Sequence, residues 1–142
     1  MKETAECTVM SPGARMPRRA TNRAVGYDLF ALGDVVLRPN QGFTTVPVGL
    51  GIAGPKDTLA LIAPRSGNAL KHGIQFGEGV VDPGYRGEIM VAMRTTNQAS
   101  ATLSKDKAIA QLIFIPVSLP EILRTDKLKQ HEVADEEWVR HG

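Results

Sequence analysis

Turn-forming residues cut this chain into short apolar runs, and that punctuation constrains it to a strand architecture. Fourteen Gly and nine Pro are spread through 142 residues, with few aromatics. Pro presets φ and Gly accepts φ values closed to other residues, so both end regular elements and begin turns. Strand candidates are 5–10, 27–37, 43–53, 57–63, 79–82, 86–94, 101–103 and 108–117. Arg-Pro-Asn-Gln-Gly (38–42), Gly-Pro-Lys (54–56) and Ser-Lys-Asp-Lys (104–107) separate several of them. Residues 11–23, rich in Pro, Gly and Arg, read as an extended loop. Residues 66–72 offer one short helical turn, with Ser66 placed to cap it. Strands at this spacing indicate an all-β sandwich or barrel.

The length suits one domain with a real core. Residues 1–120 read as the β domain and 121–142 as a charged tail, either flexible or lying on another subunit. Hydrophobic residues make up 42% and charged residues 23%, ordinary values for a globular chain. A net charge of +2 is too small to argue for nucleic acid. Arg15, Arg18, Arg19 and Arg23 form a local basic stretch, either a solvated loop or a polyanion contact. Cys7 is the only cysteine, so no internal disulfide can form, which fits a reducing compartment. No apolar signal core stands at the start, and no apolar run approaches the ~20 residues that span a bilayer. An intracellular chain, of cellular or viral origin, is the expectation, with no membrane partner.

Chemistry concentrates in Gly79-Val80-Val81-Asp82-Pro83-Gly84-Tyr85-Arg86-Gly87-Glu88. Pro83-Gly84 suits the centre of a β-turn. With strands expected on both sides, Asp82 and Tyr85 should project from one hairpin; a plain structural turn is the other reading. Pro64-Arg65-Ser66-Gly67 leaves a strand and enters the expected helical turn, where outward-facing N–H groups favour phosphate. There Arg65 adds a planar cation, Ser66 a hydroxyl, and Gly67 close backbone approach. Asp28 opens a strand after Gly26-Tyr27. Gln111 interrupts the apolar run 109–114, and its amide needs a partner in backbone, water or ligand. Trp138, the only Trp, has two readings: an anchor for the tail, or a platform for a planar ligand. His72, His131 and His141 lack metal-ligand spacing. There is no Gly-x-x-x-x-Gly-Lys loop and no Gly-x-Ser-x-Gly elbow.

Taken together and in order, these segments resemble the trimeric dUTPase family. The first motif is Ala24-Val25-Gly26-Tyr27-Asp28-Leu29-Phe30-Ala31. The second is Ala63-Pro64-Arg65-Ser66-Gly67 with Lys71-His72-Gly73. The third is the decapeptide at 79–88. The fourth is Ile109-Ala110-Gln111-Leu112. The resemblance implies a jelly-roll-like β-sandwich or distorted barrel, assembled as a homotrimer with active sites between subunits. It implies hydrolysis of dUTP to dUMP and pyrophosphate. Asp82 would be the general base that deprotonates a water for attack on the α-phosphorus. Tyr85 would pack beneath the deoxyribose and exclude a 2′-hydroxyl. Uracil would meet backbone groups near Gly79 and Met90. Arg65, Ser66, Gly67 and Gln111 would hold the triphosphate, and Mg²⁺ would bridge its oxygens, with Asp28 reaching the metal through water.

The chain also departs from that family. The fifth motif, a Gly-rich C-terminal arm carrying an Arg and a Phe, has no counterpart in 121–142; Trp138 and Arg140 are candidates for its two roles. Asn68 stands where Leu is usual, and Gly84 where an acid is frequent. Lys107-Ala108 replaces Asp-Arg before the fourth motif. These departures support a second expectation, a dUTPase-like protein kept for nucleotide binding or regulation. A third, the related dCTP deaminase, needs an acid on the strand after the turn, where this chain has Ala92.

Overall fold

The computed structural model describes residues 3–65 and 73–130. Among them are eleven strands and no helix. These are β1 (Glu6–Val9), β2 (Tyr27–Leu29), β3 (Val35–Leu37), β4 (Thr44–Pro47), β5 (Leu50–Ala53), β6 (Thr58–Ala63), β7 (Ile74–Phe76), β8 (Val80–Val81), β9 (Met90–Thr95), β10 (Ala101–Leu103) and β11 (Ala110–Pro116). The helical turn expected over 66–72 lies outside the described residues, as does the end of the tail from His131.

All pairings are antiparallel. The strands form a four-stranded sheet β2-β11-β6-β8, a three-stranded sheet β4-β9-β7, and the pairs β1-β5 and β10-β3. None of these neighbours is consecutive in sequence, so the chain crosses between sheets at each step. The result is the expected all-β, jelly-roll-like sandwich. The period-2 pattern explains which face is buried. In β6, Thr58, Ala60 and Ile62 point inward while Leu59, Leu61 and Ala63 are half-buried. In β9, Val91, Met93 and Thr95 point inward. Leu29, Leu37, Leu50, Ile89, Met93, Ile109 and Leu112 are almost fully buried and belong to one cluster joining the sheets. Each such side chain contributes roughly 1.5–3 kcal/mol by leaving water.

Three expectations need correction. The candidates 27–37 and 43–53 are each two strands. Gly49 breaks the second at φ +75°, and a Cβ there would lie 2.8 Å from Leu32 and 2.9 Å from Ala14. β7 lies outside the strand candidates: Ile74-Gln75-Phe76 alternates but is only three residues long, between Gly73 and Gly77. The segments flanking Pro83-Gly84 do not form a paired hairpin: β8 pairs with β6, whereas β9 pairs with β4 and β7. The turn therefore bridges two sheets.

Candidate active site

The turn is closed by the Tyr85 N–H donating to the Asp82 carbonyl at 3.0 Å. Gly84 is not in the left-handed region, so the turn does not use the φ > 0 that glycine was expected to supply. Arg86 folds back and donates to the carbonyls of Pro83 at 2.9 Å and Tyr85 at 3.0 Å. The Tyr85 hydroxyl donates to the Glu88 carbonyl at 2.8 Å. One short loop thus holds a carboxylate and an aromatic ring at fixed separation, both exposed.

These two residues border a cleft of about 190 Å³, with Gly79 and Met90 on its other walls. Gly79 faces β6: its carbonyl accepts from the Ile62 N–H at 2.6 Å. Met90 lies opposite Pro47 in the β4–β9 ladder; the next pair, Val48 and Ile89, is hydrogen-bonded, so by alternation the Met90 backbone groups point away from β4. Ile62, Glu78 and Glu88 also line the cleft. Glu78 and Glu88 flank or end the decapeptide and were within reach of sequence reasoning. Ile62 was not, because it arrives through strand pairing.

Asp28, Arg65 and Gln111 converge elsewhere. Asp28 pairs with Gln111 across β2–β11, and Gln111 with Ala63 across β11–β6. Arg65, just beyond the end of β6, forms a salt bridge with Asp28. The Gln111 amide donates to the Pro64 carbonyl at 3.0 Å. Gly26 makes room for this: a Cβ there would lie 2.0 Å from Gln111 Oε1. The polar interruption in the 109–114 run is thus satisfied by backbone. Ser66 and Gly67, also expected to hold phosphate, lie outside the described residues, as do Trp138 and Arg140.

Within one chain the two groups are apart. Val81 pairs with Ala60, whereas Gln111 pairs with Ala63. Asp82 is therefore offset from the Asp28–Gln111 row by roughly 13 Å along β6, at ~3.3 Å per residue, before strand widths are added.

Among the described residues, no three His, Cys, Asp or Glu side chains gather as a metal cluster. No helix among them is long and apolar enough to cross a membrane.

The model of the family described as dUTPase matches residues 13–139. The chain belongs to the dUTPase family. Similar curated relatives include the deoxyuridine 5'-triphosphate nucleotidohydrolase of Oryza sativa subsp. japonica, 39% identical over 119 residues, covering 84% of this chain and 69% of the relative. That of Paramecium bursaria Chlorella virus 1 is 38% identical over 109 residues, 77% of each chain. Among solved structures, a mutant dUTPase of Staphylococcus bacteriophage 80alpha with dUpNHpp superposes with a TM-score of 0.85 at 23% identity, covering 93% of this chain and 94% of that one. A mutant dUTPase of S. aureus phage phi11, studied for the coordination of a structural Mg(II) ion, gives a TM-score of 0.82 at 22% identity over 89% of this chain and 99% of that one. Membership in this family leaves the deaminase expectation without support, in keeping with Ala92 on β9.

Proposed function

We propose that this dUTPase-family chain hydrolyses dUTP to dUMP and pyrophosphate, at sites completed by neighbouring copies in a homotrimer. One observation carries the reading: Asp82 and Tyr85, joined by one turn, share a cleft with Gly79 and Met90. Asp82 is the general base. Its exposed carboxylate takes a proton from water, and the turn aims that water at the α-phosphorus. Tyr85 lies under the sugar and takes the space of a 2′-hydroxyl. Polar backbone at Gly79 and Met90 reads the uracil edge, so cytosine would leave buried groups unpaired.

Arg65 and Gln111, with Ser66 and Gly67, hold the phosphate chain from another copy. The ~13 Å offset within one chain supports that division. Asp28 would be the residue to hold a hydrated Mg²⁺, since it offers one hard carboxylate, shared with Arg65, beside Gln111. When bound, the ion would neutralise phosphate charge. In the same reading, residues 1–120 are the catalytic unit, 121–142 a separate tail, and the chain works inside a cell.

A second reading, nucleotide binding or regulation with weak or no turnover, is favoured by the departures inside the motifs: Asn68, Gly84 and Lys107-Ala108. Incubation with dUTP, dCTP, dTTP and UTP plus Mg²⁺ decides between the two. Pyrophosphate from dUTP alone supports hydrolysis, and dUTP binding without pyrophosphate supports the second reading.

A further inference from the structure

Gly87 occupies the place where a side chain would collide with the ring of Tyr85. A Cβ there would lie 2.5 Å from the Tyr85 hydroxyl oxygen and 2.7 Å from Cζ. Gly87 is not in the left-handed region, so the backbone does not require glycine; the ring does.

That ring is held from several sides. Its hydroxyl donates to the Glu88 carbonyl at 2.8 Å. The next residue, Ile89, is 1% exposed and pinned to the core. Its N–H donates to the Leu50 carbonyl at 2.8 Å, and its carbonyl accepts from the Val48 N–H at 3.3 Å. At the other end, the Tyr85 N–H closes the turn onto Asp82. The Glu88 carbonyl is thus a fixed post, and the ring reaches it only because residue 87 has no side chain.

We propose that Gly87 is a specificity-determining position, acting through Tyr85 to set where the ring meets the sugar. The proposal rests on the nucleotide reading above and extends it to a positioning residue. Ordinary contact begins near 3.4 Å, so a methyl at 87 displaces the hydroxyl end of the ring by about 1 Å. The bond to Glu88 is then lost, and the ring no longer fills the volume a 2′-hydroxyl needs. Because the clash falls on the far end of a side chain, the ring moves and the fold stays.

Gly33 supplies the control. It is exposed, away from the cleft and outside the left-handed region, and a Cβ there meets nothing within 4 Å. The test measures kcat and KM for dUTP and UTP with Mg²⁺, on the full chain, for wild type, Gly87→Ala and Gly33→Ala. Ring carbon resonances of ¹³C-tyrosine are followed in parallel, assigned with Tyr85→Phe since Tyr27 is the only other tyrosine. Gly87→Ala should lower the dUTP:UTP ratio of kcat/KM at least tenfold, raise KM for dUTP more than it lowers kcat, and shift the Tyr85 ring signals. Gly33→Ala should change none of these. A ratio in Gly87→Ala within twofold of Gly33→Ala, or unmoved ring signals, overturns the proposal while selective wild-type hydrolysis leaves the hydrolase reading standing. A wild type that hydrolyses neither triphosphate overturns both.

Discussion

The Gly79 carbonyl accepts a hydrogen bond from the Ile62 amide at 2.6 Å, and a Cβ at Gly79 would lie 2.3 Å from the Ile62 carbonyl oxygen. The wall of the cleft and strand β6 are therefore in backbone contact. Backbone cannot rotate away as a side chain can. Gly79→Ala should destabilise the fold by ~2–3 kcal/mol, in the range of overpacking, and weaken nucleotide binding with it. Thermal melts with and without dUMP check this; a melting temperature equal to wild type would show that the two strands can separate freely.

Asp82→Asn should reduce dUTP turnover by roughly 10²–10⁴-fold, the span of a lost general base. Asp82 is exposed, so thermal stability should hardly change. Gln111→Ala should also impair turnover, through phosphate binding. If sites form between copies, co-refolding the two variants should restore part of the activity that each lacks. Absence of rescue in verified mixed oligomers would place both residues in a site made by one chain.

Gly26→Ala should act on the phosphate side. The Cβ would displace the Gln111 amide, which can swing aside at small cost to the fold but then loses its bond to the Pro64 carbonyl. KM for dUTP should rise several-fold with little change in melting temperature. A large melting shift with unchanged KM would contradict that assignment.

The salt bridge between Asp28 and Arg65 is partly open to water, with side-chain exposures of 14% and 41%. Exposed pairs are worth about 0–1 kcal/mol. Asp28→Asn should therefore cost less than ~1 kcal/mol of stability, while the Mg²⁺ concentration for half-maximal turnover rises. Titration of activity against Mg²⁺ checks it; an unchanged midpoint would remove Asp28 from the metal role.

Cys7 is half-buried on β1, and burial pushes its thiol pKa up. Less thiolate is present at a given pH, and the thiolate is the nucleophile. Alkylation by iodoacetamide at pH 8 should be slower than for a free thiol and should accelerate on unfolding. Equal rates in native and unfolded chains would contradict the burial.

The strand architecture was legible because its signals are local. Short apolar runs such as those of β6 and β9, and the turn residues between runs, act over a few positions. Gly49 was harder: the candidate 43–53 splits there because the backbone turns to positive φ against Leu32 and Ala14, neighbours distant in sequence. The turn at Pro83-Gly84 was equally readable, yet its strands part to different sheets, since pairing depends on which edges are free. Asp82, Tyr85 and Gly79 could be grouped from the chain alone, lying in one decapeptide. Ile62 could not.

Chemistry, then, was written locally: the residue types able to carry an acid, a ring and phosphate contacts were visible in four short segments. Their separation was decided in three dimensions. Register across β6 puts Val81, the residue before Asp82, at Ala60 and Gln111 at Ala63, so the two groups come from different places on one chain. Hydrogen-bond register is a pairwise property of strands remote in sequence, and packing of the shared core chooses it.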